Sequence, residues 1–333
     1  MSETSSITPR FCYNCGAGVV TGRRICLRCN TTMDQVPMRH TPPSGLPVNL
    51  LQAGSLVVDR YEVEEVESAG RLHVCYRAHD RLFQRSVTLR TLKASENNPN
   101  RLAELRRQAR NQNALAHPHI VTTLDFVEDR AKGVVAIVEE YVGTRTLRDW
   151  LTQRTPLSLP FAAYRQLMLP ITAAVAFAHR HGVVHRNLKP RKIFLDAFER
   201  PKVSDFGLTS YAPPQHSNSL PLLLGTLEYM APEQAGNPLV IEPKADLYSL
   251  GVLFYELVSD QLPIEKNTND LDFLNRLMNE PATPLVQCFP SVPSGLDAVI
   301  MRCLEKDPDD RYASADDLML ALADVLGAAP YSV

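Results

Sequence analysis

The hydrophobic pattern along the chain changes character near residue 147. From Tyr61 onward the apolar positions come in short runs rich in β-branched residues, such as Val121 to Phe126 and Val134 to Val138, and these predict strands. After Leu147 the spacing becomes helical. The longest apolar run, Gln166 to His179, has 14 residues, too few to span a membrane, and predicts a buried helix. Pro170 inside it predicts a kink and an unpaired carbonyl. Near the end, Ser314-Ala-Asp-Asp317 stands before apolar residues at Leu318, Leu322, Val325 and Leu326, the pattern of a capped amphipathic helix. Strands first and helices afterwards predict an α+β architecture, with a small β-rich part followed by a larger helical one.

The first 57 residues follow neither pattern. Cys12-Tyr-Asn-Cys15 and Cys26-Leu-Arg-Cys29 bring four thiols into eighteen residues. Two such turns offer four thiolates to one tetrahedral zinc ion, and Gly16 gives the backbone room to turn its amides toward sulfur. A segment with so little apolar content needs that staple to fold, so residues 1–32 are expected to form a zinc ribbon. Two disulfides are the alternative, which a reducing cytosol disfavours. Five arginines against Glu3 and Asp34 make residues 1–40 locally basic, which leaves nucleic acid open as a partner of this module alone. Residues 33–57, with Pro37, Pro42, Pro43 and Pro47, read as a semi-extended linker.

Composition narrows the class. A length of 333 residues suggests about two domains, and 44% hydrophobic with 22% charged residues is ordinary for a globular protein. Lys and Arg number 35 against 37 Asp and Glu, a net charge of -2, which excludes a globally basic surface for nucleic acid or acidic lipid. The N-terminal MSETSSITPR has no apolar core behind a basic start, so a cytoplasmic protein without a membrane span is expected. Glycine is scarce, with 15 in the chain and 9 between residues 61 and 326, which leaves few places where backbone can approach a ligand closely.

Five segments then stand in order: His185-Arg-Asn-Leu-Lys-Pro190, Asp205-Phe-Gly207, Gly225-Thr-Leu-Glu-Tyr-Met-Ala-Pro-Glu233, Asp246-Leu-Tyr-Ser-Leu-Gly251 and Lys306-Asp-Pro-Asp-Asp-Arg-Tyr312. In sequence and spacing they resemble the eukaryotic-like Ser/Thr protein kinases of bacteria, over residues 58–326. The resemblance implies a two-lobed kinase fold, with a small lobe at about 58–142, carrying a five-stranded sheet and one helix, and a large, mostly helical lobe at about 143–326. It also implies a nucleotide cleft using ATP and Mg²⁺.

Several family positions carry other residues. Where the glycine-rich loop has three glycines, this chain has Ser68, Gly70 and His73, and side chains there obstruct amides closing on phosphates. Arg90 stands at the strand lysine, and Gln108 at the helix glutamate that pairs with it; Glu104 lies one turn away. Asn187 replaces the aspartate that accepts the substrate hydroxyl's proton, and Lys192 replaces the asparagine that binds a second Mg²⁺. Lys189 and Asp205, the catalytic-loop lysine and the other metal ligand, are intact. Glu139 stands at the usually apolar position before the hinge residues Glu140, Tyr141 and Val142, and Thr88 where a small alanine lies over adenine. A buried carboxylate needs a cation, so Arg90 is expected to bridge Glu139 or Asp205, and Lys192 to reach Asp205.

Structural positions of the family are kept: His185 and Arg186 in the catalytic loop, Asp246 that holds it, and the pair Glu233 and Arg311. With structural parts retained and chemical parts changed, the chain is expected to be a pseudokinase, a signalling scaffold or allosteric partner of an active kinase. The alternatives are an atypical, weakly active ATP-dependent Ser/Thr kinase, and a zinc-ribbon adaptor for nucleic acid or protein. Cys75, Cys288 and Cys303 read as small buried hydrophobes. Ser217 and Ser219 are candidate phosphorylation sites with Arg186 as phosphate partner.

Overall fold

The computed structural model of the protein describes residues 10–11, 18–19, 51–70, 73–92, 99–154, 161–207, 227–236, 242–266 and 269–327. Near the N-terminus β1 (Arg10–Phe11) pairs antiparallel with β2 (Gly18–Val19). Cys12, Cys15, Cys26 and Cys29, like Ser217 and Ser219, lie outside the described residues. One compact unit takes in the chain up to Ala109 together with Thr123–Tyr141, and a second takes in Arg110–Thr122 and Val142 onward. Residues 110–122, expected in a contiguous small lobe, therefore belong with the second unit.

In the first unit, β3 (Leu56–Val57), β4 (Tyr61–Ala69), β5 (His73–Asp80) and β6 (Arg85–Leu92) precede α1 (Pro99–Asn113), and β7 (Thr123–Asp129) and β8 (Val134–Glu140) follow it. The six strands are antiparallel in the order β3-β4-β5-β6-β8-β7. That is one strand more than the five expected. The extra strand comes from the end of the expected linker, where Val57 is fully buried and the Leu51 amide donates to the Tyr76 hydroxyl at 3.2 Å. Apolar residues at 51, 56 and 57 have more to gain from the sheet than from solvent.

Period-2 alternation gives the sheet two faces. Val74, Tyr76, Ala78, Val87, Leu89, Ala136 and Val138 form a core on one of them. On the other, Ile137 packs against Leu105 and Ala109 of α1. Arg90 is the cross-strand partner of Ile137, and Thr88 of Glu139, so Arg90 and Glu139 also point to the helix side.

The second unit is built on α2 (Leu147–Gln153), α3 (Phe161–Arg180), the short pair β9 (Ile193–Leu195) and β10 (Pro201–Val203), α4 (Pro232–Gly236) and α5 (Pro243–Ser259). Then come α6 (Asp270–Asn279), α7 (Leu285–Cys288), α8 (Ser294–Cys303) and α9 (Ala315–Val325). Thr146 caps α2 in a reciprocal box with Asp149, and Ser314 caps α9 by accepting from the Asp317 amide at 3.1 Å. From Ala245 to Ser259 every residue of α5 is buried, which makes it the axis of this unit. Helix α3 runs through Pro170, and the Thr172 hydroxyl donates to the Met168 carbonyl at 2.8 Å in the same stretch. Cys303 is buried, while Cys75 and Cys288 are only partly so. Among the described residues no helix is long and apolar enough to cross a membrane.

Candidate active site

The second unit presents a loop held from below by one carboxylate. Asp246, in the first turn of α5 and fully buried, accepts the His185 amide at 2.7 Å, the Arg186 amide at 2.8 Å and contacts His179 Nε2 at 2.8 Å. Burial opposes its charge, but these hydrogen bonds, that from His179 foremost, hold its pKa below the usual carboxylate range. The two amides fix the path of residues 185–187, with Arg186 in the left-handed region at φ 67°. Gln234 ties the same loop to α4 by donating to the Arg186 carbonyl at 3.0 Å. Asn187 is thus placed by the backbone on either side of it, and its amide donates to His185 Nδ1 at 3.3 Å.

The loop continues into β9, and Asp205 follows β10. The Ser204 amide donates to the Lys192 carbonyl at 2.8 Å, which brings the start of one strand to the end of the other. Across that junction the Lys192 ammonium bonds the Asp205 carboxylate, as charge balance leads one to expect. Asp205 is 2% exposed and has φ 67°, a conformation that aspartate tolerates better than most residues. Lys189 is partly buried, and burial, with Arg191 second, lowers its pKa to about 8 against the pull of Glu228.

In the first unit, Glu139 is 1% exposed and Arg90 is 7% exposed. Arg90 Nε and Nη2 donate to Glu139 Oε2 at 3.1 and 2.8 Å. Burial works against the guanidinium's charge, and Glu139 together with Cys75 more than offsets it, so the pKa of Arg90 is raised. Gln108 is buried on the sheet-facing stripe of α1, and neither of its amide atoms has a partner among the described residues. Gly70 closes the β4–β5 hairpin by donating to the His73 carbonyl at 2.9 Å. Among the described residues a Cβ at Gly70 would meet only that carbonyl, at 3.5 Å, an ordinary contact. Glu140 ends β8, and Val142 lies in the segment between β8 and α2.

Two structural groups complete the second unit. Arg311 is 1% exposed and forks onto Glu233 at 2.7 and 2.8 Å, with further bonds to the carbonyls of Lys244, Glu305 and Lys306. A buried network of Arg148, Glu256 and Tyr229 is not foreseen from the sequence: Arg148 donates to Glu256 at 2.7 Å, and the Tyr229 hydroxyl bonds the same carboxylate. His179 likewise escapes sequence reasoning. It reads as one of three clustered histidines, and nothing local signals its partner 67 residues later. His181 turns instead to the Phe177 carbonyl at 2.8 Å, and no group of three metal-binding side chains occurs among the described residues.

The donor set suits the nucleotide and metal of the resemblance only in part. In the second unit Lys189 and Lys192 are cations fit for phosphate, and the Asp205 carboxylate fits one divalent ion; in the first unit Arg90 is a cation paired with Glu139. An ammonium at position 192 does not fit a second. A loop ordered by a buried helix carboxylate, an aspartate at a strand end and a buried arginine forked onto a partly buried glutamate define the class of protein-kinase folds. A model of the protein kinase domain matches residues 61–321, and the chain belongs to that family. It is 33% identical over 270 residues to the serine/threonine-protein kinase PrkC of Bacillus subtilis, covering 80% of this chain and 40% of that protein. It is 31% identical to PknB of Mycobacterium tuberculosis, covering 82% and 44%. The chain thus spans about two fifths of the length of these relatives. The solved kinase domain of PknI from Mycobacterium tuberculosis superposes with a TM-score of 0.63 at 21% identity, covering 83% of this chain and 99% of that one, and shows the fold.

These relatives are named as serine/threonine kinases, and that overturns the expectation of a pseudokinase acting only as a scaffold. The physical reason lies in how little each substitution removes. General-base help is worth about 10²–10⁴-fold, and phosphoryl transfer depends mainly on positioning and charge. By that arithmetic, asparagine in place of the aspartate does not by itself require such chemistry to be lost.

Proposed function

We propose that the chain is an atypical, weakly active ATP-dependent serine/threonine protein kinase acting on protein substrates. The observation that carries this reading is the ordering of the 185–192 loop by Asp246, with Asp205 buried at its far end. A loop that no longer positions anything has no need of so many buried, charge-assisted bonds. When bound, ATP supplies the transferred phosphoryl group, and a divalent ion on Asp205 spreads its charge. The chain's own residues then divide the remaining work. Lys189 and Lys192 are cations for the developing phosphate charge, so that Lys192 replaces part of what a second ion does. The Asn187 amide orients the substrate hydroxyl by hydrogen bonding and leaves the proton to solvent.

Radiolabelled ATP and a generic protein substrate test the reading. Slow transfer that disappears in Asp205→Ala is expected, and no transfer above background by the folded wild-type chain refutes it. The proposed use of ATP supports a cytoplasmic setting for this activity. For residues 1–32 the proposal is a structural zinc ion on Cys12, Cys15, Cys26 and Cys29, supported by their spacing. Metal analysis of purified protein should give one zinc per chain; a zinc-free folded chain would remove it.

A further inference from the structure

The buried polar residues beneath α1 are not balanced. Arg90 and Glu139 share the helix side of the sheet, and the Nε–Nη2 edge of the guanidinium, the edge that grips an anion with two bonds, is given to one oxygen of Glu139. Around them, hydrogen-bonding capacity goes unused. Among the described residues, Gln108, 1% exposed, has neither amide atom partnered, and Thr123, the cross-strand partner of Glu139, is 7% exposed with an unpartnered hydroxyl. Unsatisfied buried groups of this kind mark a site that is better completed in another arrangement. Such an arrangement would release Arg90 from Glu139. A neutral amide alone cannot draw a guanidinium from a carboxylate; an added anion can.

We infer that Glu139 is a built-in competitor for Arg90, releasing it when a nucleotide phosphate binds, and thereby setting how tightly the protein takes ATP. The inference rests on the kinase reading for the identity of the anion. Glu139 acts through Arg90 and is a positioning residue. Its removal should improve nucleotide binding, the opposite of what loss of a merely structural pair would do.

The experiment titrates a fluorescent ATP analogue into the full chain, its Glu139→Gln variant and the double variant Arg90→Met/Glu139→Met. Glu139→Gln should bind about tenfold tighter than wild type, the low end of the coupling seen for close charge pairs. The double variant should bind no tighter than wild type. Equal or weaker binding by Glu139→Gln, or no binding by either protein, overturns the inference, as does a gain that persists without Arg90. Should Glu139→Gln fail to fold, the wild-type chain decides: the Arg90 Nε resonance, assigned through Arg90→Lys, should move on addition of ATP, and a fixed resonance overturns it. The two proposals fail separately. Transfer sensitive to Asp205→Ala without a change in affinity removes the competition and keeps the kinase. Tighter binding without transfer does the reverse.

Discussion

Mild acid should destabilise the second unit through His185. The imidazole is fully buried, with Nε2 at 2.9 Å from the Ser204 carbonyl and Nδ1 accepting the Asn187 amide at 3.3 Å. Both nitrogens are therefore satisfied only in the neutral ring protonated on Nε2, since a proton on Nδ1 would face another donor. Burial lowers its pKa to about 4, whereas an unfolded histidine titrates near ~6.5. Because the folded value is the lower one, the stabilisation is complete above ~6.5 and drains away as the pH falls toward 4. At ~1.4 kcal/mol per pH unit for one proton, that window removes on the order of 3 kcal/mol. A domain with ~5–15 kcal/mol of stability will register such a loss.

His117, half-buried and also lowered to about 4 by burial, adds a smaller loss in the same window. Asp246 works lower down: its depressed pKa means that its contribution is lost only below ~4, the unfolded carboxylate value. Urea denaturation at several pH values between about 7.5 and 4.5 measures the slope of stability against pH. His185→Asn should be less stable than wild type at neutral pH and lose stability more shallowly as pH falls, because one proton has been taken out of the linkage. Equal slopes in the two proteins would refute the buried neutral ring.

Arg311→Lys should lower stability by about 3–5 kcal/mol, since a point charge cannot keep the fork onto Glu233 together with three carbonyls; a shift in the urea midpoint equivalent to under about 1 kcal/mol would contradict this. Gly251→Ala places a Cβ 2.7 Å from the Cys303 Cβ where α5 and α8 meet. The clash, about 1–3 kcal/mol, should outweigh the gain of about 1 kcal/mol in helix propensity, and an unchanged or higher melting temperature would say otherwise. For the proposed transfer, a required Lys189 ammonium with its pKa lowered to about 8 predicts a rate that declines above that pH. Lys189→Arg should remove the decline, and a wild-type rate that keeps rising with pH would exclude the role.

Charge balance and local spacing made much of this chain legible before its fold was known. Glu139 had to find a cation because an unpaired buried carboxylate is prohibitive, and the nearest in register, Arg90, supplies it. Lys192 and Asp205 meet for the same reason, and the α9 cap follows from four consecutive residues. What sequence hid is long-range or weakly encoded. A two-residue strand at Leu56–Val57 has no periodicity to read, and His179 finds Asp246 only after α3 and α5 have packed.

The expectation of a pseudokinase fails for a different reason. Gln108, Asn187 and Lys192 count as separate losses only if each role can be filled by the family residue alone. In a reaction governed by placement of charge, neighbouring residues act as a set. The same lysine that excludes a second divalent ion brings a positive charge to Asp205, and the same glutamate that occupies Arg90 keeps that guanidinium charged inside the sheet. An inventory of missing residues measures distance from the family pattern; whether chemistry survives depends on where the replacement charges sit.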